Sequence, residues 1–406
     1  MQAPPGFFDL LRIAPDDATG QGPFARLMAE CPVLFDPPTG HLLVASHGLA
    51  RRILADGSLR RHPANAAPGT LFARFTDRRP ADPALPPSER SSILLLDAPD
   101  HLRIRAPLQR AFHARVARSA PLVAQVVDQA LSRLRGRRRF DVVAELAIPI
   151  PIHAIARILG VGHDQLERFR ELSEDLILVL NPLRSDAEDA RAQAATDALH
   201  AVFRDLLVAR RRQPADDLVS DLVRLQADGV PLSDAELVLN LTALLVGGNL
   251  TTTDLLASAV RLVLSHPDEQ AQLAADPSRV EGAIEETLRL EGPVDFTPRV
   301  TPGPLVVEGV AVPAGTPIFA ILRAANRDPA AFPDPDRFDI DRPSTPHLAF
   351  GGGAHYCIGA PLARLEGRLF LARFLGTFPS ARLPEQRLAY RWLPGFRGLQ
   401  ELWVET

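Results

Sequence analysis

The sequence predicts a mainly α-helical protein with small β-sheets, built as a single large domain over residues 1–406. Three observations carry that expectation. Apolar residues recur at three-to-four spacing through the middle of the chain, strand-like runs are few and late, and no repeat, low-complexity tract or linker divides the sequence. In chain order, residues 101–118, 121–134, 164–180, 186–212, 233–264 and 277–290 read as helices. Asp164 heads the third, and Ser233 with Glu236 three positions on forms a capping box before the fifth. Residues 304–312, 317–322 and 397–404 read as strands. Residues 61–87, the proline-rich part of an irregular loop reaching residue 95, and residues 332–346 lack periodicity; long loops of this kind inside a domain are usually functional or disordered.

The composition narrows the function classes. With 406 residues, 46% hydrophobic and 23% charged, the chain fits an ordinary globular protein, not a disordered or collagenous one. A net charge of −4 gives no support to nucleic acid as the main partner. No lysine occurs, so every basic side chain is an arginine, a fork-shaped donor of permanent charge. Two cysteines, Cys31 and Cys357, cannot form a disulfide framework, and nothing resembles a secretory leader. The most apolar stretches, 144–162 and 237–250, are interrupted by Glu145, His153 and Arg157, and by Asn240, Asn249 and a Gly-Gly pair. Neither reads as a membrane span, and the expectation is a cytoplasmic protein without an anchor.

The most informative segment is FGGGAHYCIGAPLARLE at 350–366. Cys357 follows a glycine-rich turn and precedes a helix that begins near Ala360, with Pro361 in its first turn. The N–H groups and dipole of a helix start favour negative charge and lower a thiol's pKa, so the cysteine is presented as a thiolate, either nucleophile or metal ligand. Gly351, Gly353 and Gly359 would let the backbone approach something flat and large. A lone cysteine is ordinarily a small buried hydrophobe, and Cys31 is read that way.

Phe350, Gly351, Gly353, His355, Cys357 and Gly359 together resemble the haem-ligand loop (350–359) of the cytochrome P-450 family. The resemblance runs from about residue 47 to the end in the family's order, and implies that fold, with haem b as cofactor and Cys357 as axial iron ligand. Glu286 and Arg289 share a helix face and match the family's buried Glu–Arg pair. A later basic residue, Arg342 or alternatively Arg337, would lock it in a structural role. Asp97–Arg105 resembles another family segment, so His101 and Arg105, with Arg299 and His355, are implied partners of the haem propionates.

Residues 244–254 lie in the longest helical segment, 233–264, which the resemblance makes the oxygen-binding helix. Two consecutive glycines, Gly247 and Gly248, cost a helix about 1 kcal/mol each relative to alanine, and close approach of a bulky group would explain them. In the family an acid–alcohol pair here relays protons to dioxygen. Thr251 matches the alcohol, but the acid position is Leu250, which cannot carry a proton. Asn249, Asp254 or water could replace the acid, the substrate could supply a donor, or oxygen activation could differ.

The resemblance implies an apolar substrate wall from Phe72, Phe75, Leu94 and Leu95, the helix near residues 176–180, Val246 and Thr251, residues 294–296 including Val294 and Phe296, and residues 394–396 including Phe396. The implied function is a haem-thiolate monooxygenase acting on a hydrophobic small molecule. Electrons would come from a separate ferredoxin or flavodoxin and its NAD(P)H reductase, the length leaving no room for a fused one. Arg103, Arg110, Arg364 and Arg368 are the expected cationic docking patch. A peroxide-driven peroxygenase and a non-catalytic haem- or ligand-binding protein are the competing readings.

Overall fold

Strand β2 (His41–Val44) and strand β7 (Pro317–Ile321) are buried at every position, the pattern of strands covered on both faces. They lie side by side in parallel although far apart in sequence. In this computed structural model, which describes residues 4–11, 22–74, 84–162, 165–181, 183–343 and 346–406, they form the centre of a four-stranded sheet. Its order is β1 (Val33–Asp36), β2, β7, β4 (Phe296–Val300), with β1 and β4 antiparallel to their neighbours. Strand β3 (Arg139–Asp141) comes between β2 and β4 in the chain, and β8 (Trp403–Glu405) closes it.

The expectation that strands come late is therefore corrected. Strands β1 and β2 span four residues each, too short to declare a period, and are joined through Asp36-Pro37-Pro38-Thr39-Gly40, where Gly40 takes φ +70°. The expected strand at 304–312 is a hairpin, β5 (Leu305–Val307) and β6 (Val310–Val312). Its turn residues Glu308 and Gly309 both have positive φ, matching the right-handed strand twist. The strand expected at 397–404 shrinks to β8.

The chain gathers into two compact units: Met1–Pro80 with Ala257–Cys357 and Ser380–Glu405, and Ala81–Leu256 with Ile358–Pro379 and Thr406. The first holds the four-stranded sheet, the β5–β6 hairpin and the helices His47–Ala55, Pro267–Ala275 and Val280–Glu291. The second is dominated by helices: Asp100–Ala117, Ala120–Ser132, Pro149–Leu159, Leu166–Leu176, Asp186–Arg212, Leu218–Ala227 and Ala360–Thr377. The 32-residue central helix, Asp234–Ser265, runs through the boundary at Ala257. By length and composition it could cross a membrane, but 78% of its most apolar window is buried inside the protein.

Helix starts follow local chemistry. The backbone N–H of Ser233 donates to Glu236 at 2.9 Å and that of Glu236 to Ser233 Oγ at 3.2 Å, the reciprocal cap read from the sequence. Ser185 and Glu188 do the same for Asp186–Arg212, whose last turn carries Arg210, Arg211 and Arg212 against the helix dipole. The helix expected at 164–180 is Leu166–Leu176 followed by a 3-10 turn, Ile177–Leu180; Asp164 lies outside the described residues. The helix expected at 277–290 divides into a 3-10 turn, Pro277–Arg279, and Val280–Glu291.

One core group is a pH liability. His41 is fully buried, stacked on Phe319 (4.4 Å between ring centroids) and edge-on to Phe7 (5.1 Å), and neither ring nitrogen has a hydrogen-bond partner. Burial pushes its pKa down to about 3. The folded protein keeps it neutral while the unfolded chain protonates it below about pH 6.5. Its contribution is thus intact above that pH and is lost as pH falls toward 3, at about 1.4 kcal/mol per unit. In urea unfolding from pH 7 to pH 4, His41→Phe should lose stability less steeply than the parent; parallel curves would show that His41 does not set the slope.

Candidate active site

The cysteine loop is built in the first unit. Gly353 has φ +65°, and a Cβ there would lie 2.3 Å from the carbonyl oxygen of Leu54. A Cβ on Gly352 would lie 3.1 Å from Leu54 Cβ. The close approach expected of Gly353 is therefore to the helix His47–Ala55, not to a ligand. Gly351 also takes positive φ, +70°, and Gly359 caps the helix Ala360–Thr377, with Pro361 in the first turn. The backbone N–H of Cys357 donates to the carbonyl of Phe350 at 3.0 Å, and the Phe350 ring meets Tyr356 edge-on. Cys357 is a half-buried thiol, outside any disulfide, two residues before that helix cap. His355 is half-buried in the same turn. Arg299, 3% exposed on β4, donates to the carbonyls of Leu54 at 3.3 Å and Gly352 at 3.2 Å.

The ionic group sits in the same unit. Arg289 grips Glu286 with two bonds, Nε to Oε1 at 2.7 Å and Nη2 to Oε2 at 2.8 Å. Arg342 Nε adds a third at 3.0 Å and the N–H of Asp339 a fourth at 3.2 Å. Between Arg342 and Arg337 the geometry selects Arg342: Arg337 contributes only its carbonyl, which accepts from Arg289 and Arg342 at 3.0 Å each. Bidentate pairing with every lone pair engaged is the arrangement in which buried charge is tolerated.

In the second unit, Ala243, Gly247 and Thr251 recur at four-residue spacing and are the accessible positions on an otherwise buried stretch of the central helix, with half-exposed Gly248 beside them. A Cβ on Gly247 would meet nothing within 4 Å, whereas one on Gly248 would touch Ile155 at 3.4 Å. Gly247 fits the expected open face; Gly248, nominated with it, packs on a helix. Thr251 Oγ1 donates to the carbonyl of Gly247 at 2.7 Å. Asn249 is turned away from a proton-carrying role, since it is 5% exposed and its Nδ2 donates to Ser173 Oγ at 3.0 Å. Leu250 is 5% exposed and Asp254 1%. On the helix Asp100–Ala117, His101 is buried and Arg105 half-buried, its Nε donating to Gln109 at 3.0 Å.

The family model for Cytochrome P450 matches residues 66–388. The chain belongs to the cytochrome P450 family. It is 39% identical to cytochrome P450 107B1 of Saccharopolyspora erythraea, over 81% of this chain and 82% of that protein. It is 36% identical to the cytochrome P450 monooxygenase PikC of Streptomyces venezuelae, over 98% and 94%. The solved structure of myxobacterial CYP267B1 in complex with myristic acid superposes with a TM-score of 0.85 at 34% identity, covering 97% of this chain and 98% of that one. This P450 is accordingly an oxidoreductase, a monooxygenase that uses haem b, dioxygen, a small-molecule substrate and an electron-delivering partner.

The residues present fit haem. Cys357 is a thiol held two residues before a helix cap, the donor type that haem iron takes. When bound, haem supplies the redox-active iron at which dioxygen is activated. Cys357 is the residue that the resemblance implies for the iron; of the implied propionate partners, the structure places Arg299 and His355 in the first unit and His101 and Arg105 in the second. The Thr251 hydroxyl, donating to Gly247, keeps its lone pairs for a second donor such as water.

Other assignments change. Phe72 is 5% exposed and edge-on to Phe319, a core residue instead of a wall. Leu176 is likewise core at 3%. Phe296 is half-buried but belongs to the ring cluster of Phe7 and Phe319, and Gly395 packs against it so closely that a Cβ would lie 2.7 Å from the ring. Val294 and Phe396 are half-buried and bridge one another, Val246 is 7% exposed, and Leu94, at 44%, is the most accessible of the nominated wall residues. Phe75 lies outside the described residues. Arg103 leaves the docking patch, because Glu236 and Asp100 already bind it, Glu236 at 2.5 Å. No local pattern points to His113, whose Nε2 lies 3.0 Å from the carbonyl of Ile358, the residue after Cys357. That contact joins positions 245 apart and has no local signature.

The ionic group yields a discriminating test. Arg342→Ala removes a partner from a buried carboxylate and should cost about 3 kcal/mol, while Arg337→Ala should stay within about 0.5 kcal/mol. Chemical unfolding of both variants measures the difference, and equal losses would contradict the pairing.

Proposed function

We propose that this P450 takes two electrons from a separate ferredoxin or flavodoxin, reduced by an NAD(P)H-dependent reductase, and hydroxylates a hydrophobic small molecule in the cytoplasm. The single observation that carries this reading is Cys357, a half-buried thiol outside any disulfide just before the helix Ala360–Thr377. The small-residue face of the central helix and the accessible Leu94 support an apolar substrate. Relatives named vitamin D(3) 25-hydroxylase, 34% identical, and 6-deoxyerythronolide B hydroxylase, 35% identical, point to the same reaction type. Thr251 is the proposed proton-handling alcohol, and the propionate contacts are the four basic residues above. Arg110, exposed, with half-buried Arg364 and Arg368, is the remaining candidate surface for the electron donor.

A second reading, direct use of hydrogen peroxide, is favoured by one feature: the acid position is filled by a buried leucine and Asn249 is bound to Ser173. Comparing turnover with peroxide against turnover with NADH and a surrogate ferredoxin system separates the two.

The reduced, carbon-monoxide-bound protein should show the strongly red-shifted main band of thiolate ligation, and Cys357→Ser should abolish it; an unchanged band in the variant would remove the ligand assignment. Leu250→Asp introduces the absent acid. It should lower the hydrogen peroxide released per NADH oxidised several-fold, at the expense of about 2 kcal/mol of stability for burying a polar group. Peroxide release that stays level or rises would eliminate proton supply as the limitation.

A further inference from the structure

Arg90 is a cation that no side chain among the described residues answers. It follows the 3-10 turn Pro87–Glu89, is half-buried, and its Nε is closed off from solvent with no hydrogen-bond partner. Among the described residues no carboxylate pairs with it. The arginine that shares Glu236 with this loop is answered: Arg103 pairs with Glu236 and Asp100. Glu236, a buried acid on the helix that holds this loop, is already engaged. Burial raises its pKa, but Arg103, the N–H of Ser233 and the hydroxyl of Ser88 outweigh that and hold it below the usual carboxylate range. A partly desolvated guanidinium left unpaired is costly and calls for an anion from outside.

The loop fixes where that anion would sit. Ser88 is tied to Glu236 and the N–H of Ile93 donates to Asn240 Oδ1 at 2.9 Å, so residues 88–93 are pinned along one turn of the central helix. The open positions Gly247 and Thr251 lie seven and eleven residues further along, about 10 and 16 Å at 1.5 Å per residue. Beside Arg90 in sequence are Leu85 and Leu94, 42% and 44% exposed. One segment thus offers a cation and accessible apolar side chains on a loop tied to the central helix about two and three turns before Gly247 and Thr251.

We propose that Arg90 anchors a carboxylate, so that the substrate class is a carboxylic-acid amphiphile held by its head group with its apolar body reaching toward Gly247 and Thr251. The planar fork of the guanidinium matches a carboxylate through two parallel bonds. This rests on the monooxygenase reading above and adds the chemistry of the substrate's far end.

The test is an optical titration of the haem-loaded enzyme with tetradecanoic acid and with 1-tetradecanol, repeated for Arg90→Gln and Arg90→Lys. The parent should bind the acid about 10-fold or more tightly than the alcohol, the gain of a charge-assisted pair. Arg90→Gln should bring the ratio near one, and Arg90→Lys should restore part of it. Equal binding of both probes by the parent, or a ratio untouched by Arg90→Gln, overturns the anchor while leaving an apolar substrate standing. Failure of both probes to bind counts against the hydrophobic-substrate reading and the anchor together. Loss of haem from Arg90→Gln, read from the carbon-monoxide band, would make Arg90 a cofactor residue and overturn the proposal.

Discussion

A thiolate serves as a metal ligand only when its loop cannot relax away, and here that rigidity comes from backbone contact. The carbonyl of Leu54 sits where a side chain on Gly353 would be, so the glycine-rich turn and the helix His47–Ala55 approach more closely than any other residue allows. Arg299 then binds the carbonyls of Leu54 and Gly352 at once, fastening the two partners of that contact. One glycine and one arginine therefore carry the burden that the cysteine itself cannot. The cysteine contributes the sulfur, and the neighbouring backbone holds the loop that carries it.

The cysteine loop and the Glu286–Arg289 pair were legible because their residues are close in sequence: a turn, a helix start and a three-residue spacing are local signals. Long helices were legible for the same reason, their period repeating over several turns. What escaped is non-local or short. Strands β1 and β2 hold four residues each; β2 is covered by pairing with β7, nearly three hundred residues later, and β1 pairs with β2 at the sheet edge. Asn249 reads as a substitute acid two positions before Thr251, yet helix residues two apart do not share a face, and Ser173 claims its amide. The resemblance implies Phe72 and Phe296 as pocket lining, and aromatic residues suit both a pocket and a core. Only the ring contacts with Phe319 show the second role.

The central helix shows how one element reconciles stability with access. Its buried positions supply apolar packing along most of its length, while Ala243, Gly247 and Thr251 keep a single stripe low. Glycine mid-helix is unfavourable by about 1 kcal/mol relative to alanine, and threonine loses rotamer freedom there. Thr251 and Thr253 offset part of this by bonding to the carbonyls of Gly247 and Asn249. Gly248 is different in kind. Its neighbour Ile155 stands at ordinary contact distance, so helix packing, not ligand access, accounts for it.

Glu291 extends the logic of buried charge from the Glu286 group to the segment that follows it. Arg261 lies 3.1 Å away, with Arg323, Arg397 and Arg327 between 3.7 and 3.9 Å, and Glu291 is itself 5% exposed. Burial raises its pKa, but the four guanidinium groups outweigh it and keep the carboxylate ionised. Arg323 also binds Asp295 at 2.5 Å and the carbonyl of Gly292 at 3.3 Å, while Arg397 rests on the Tyr390 ring and donates its N–H to Pro293. Residues 292–296 are thereby held on one side by Arg323 and on the other by the turn at 393–397, with the N–H of Asp295 bonded to Gly395. An isolated carboxylate could not remain charged at this depth. Surrounded by four cations it does, and its charge fixes the position of the strand entrance that carries Val294 and Phe296.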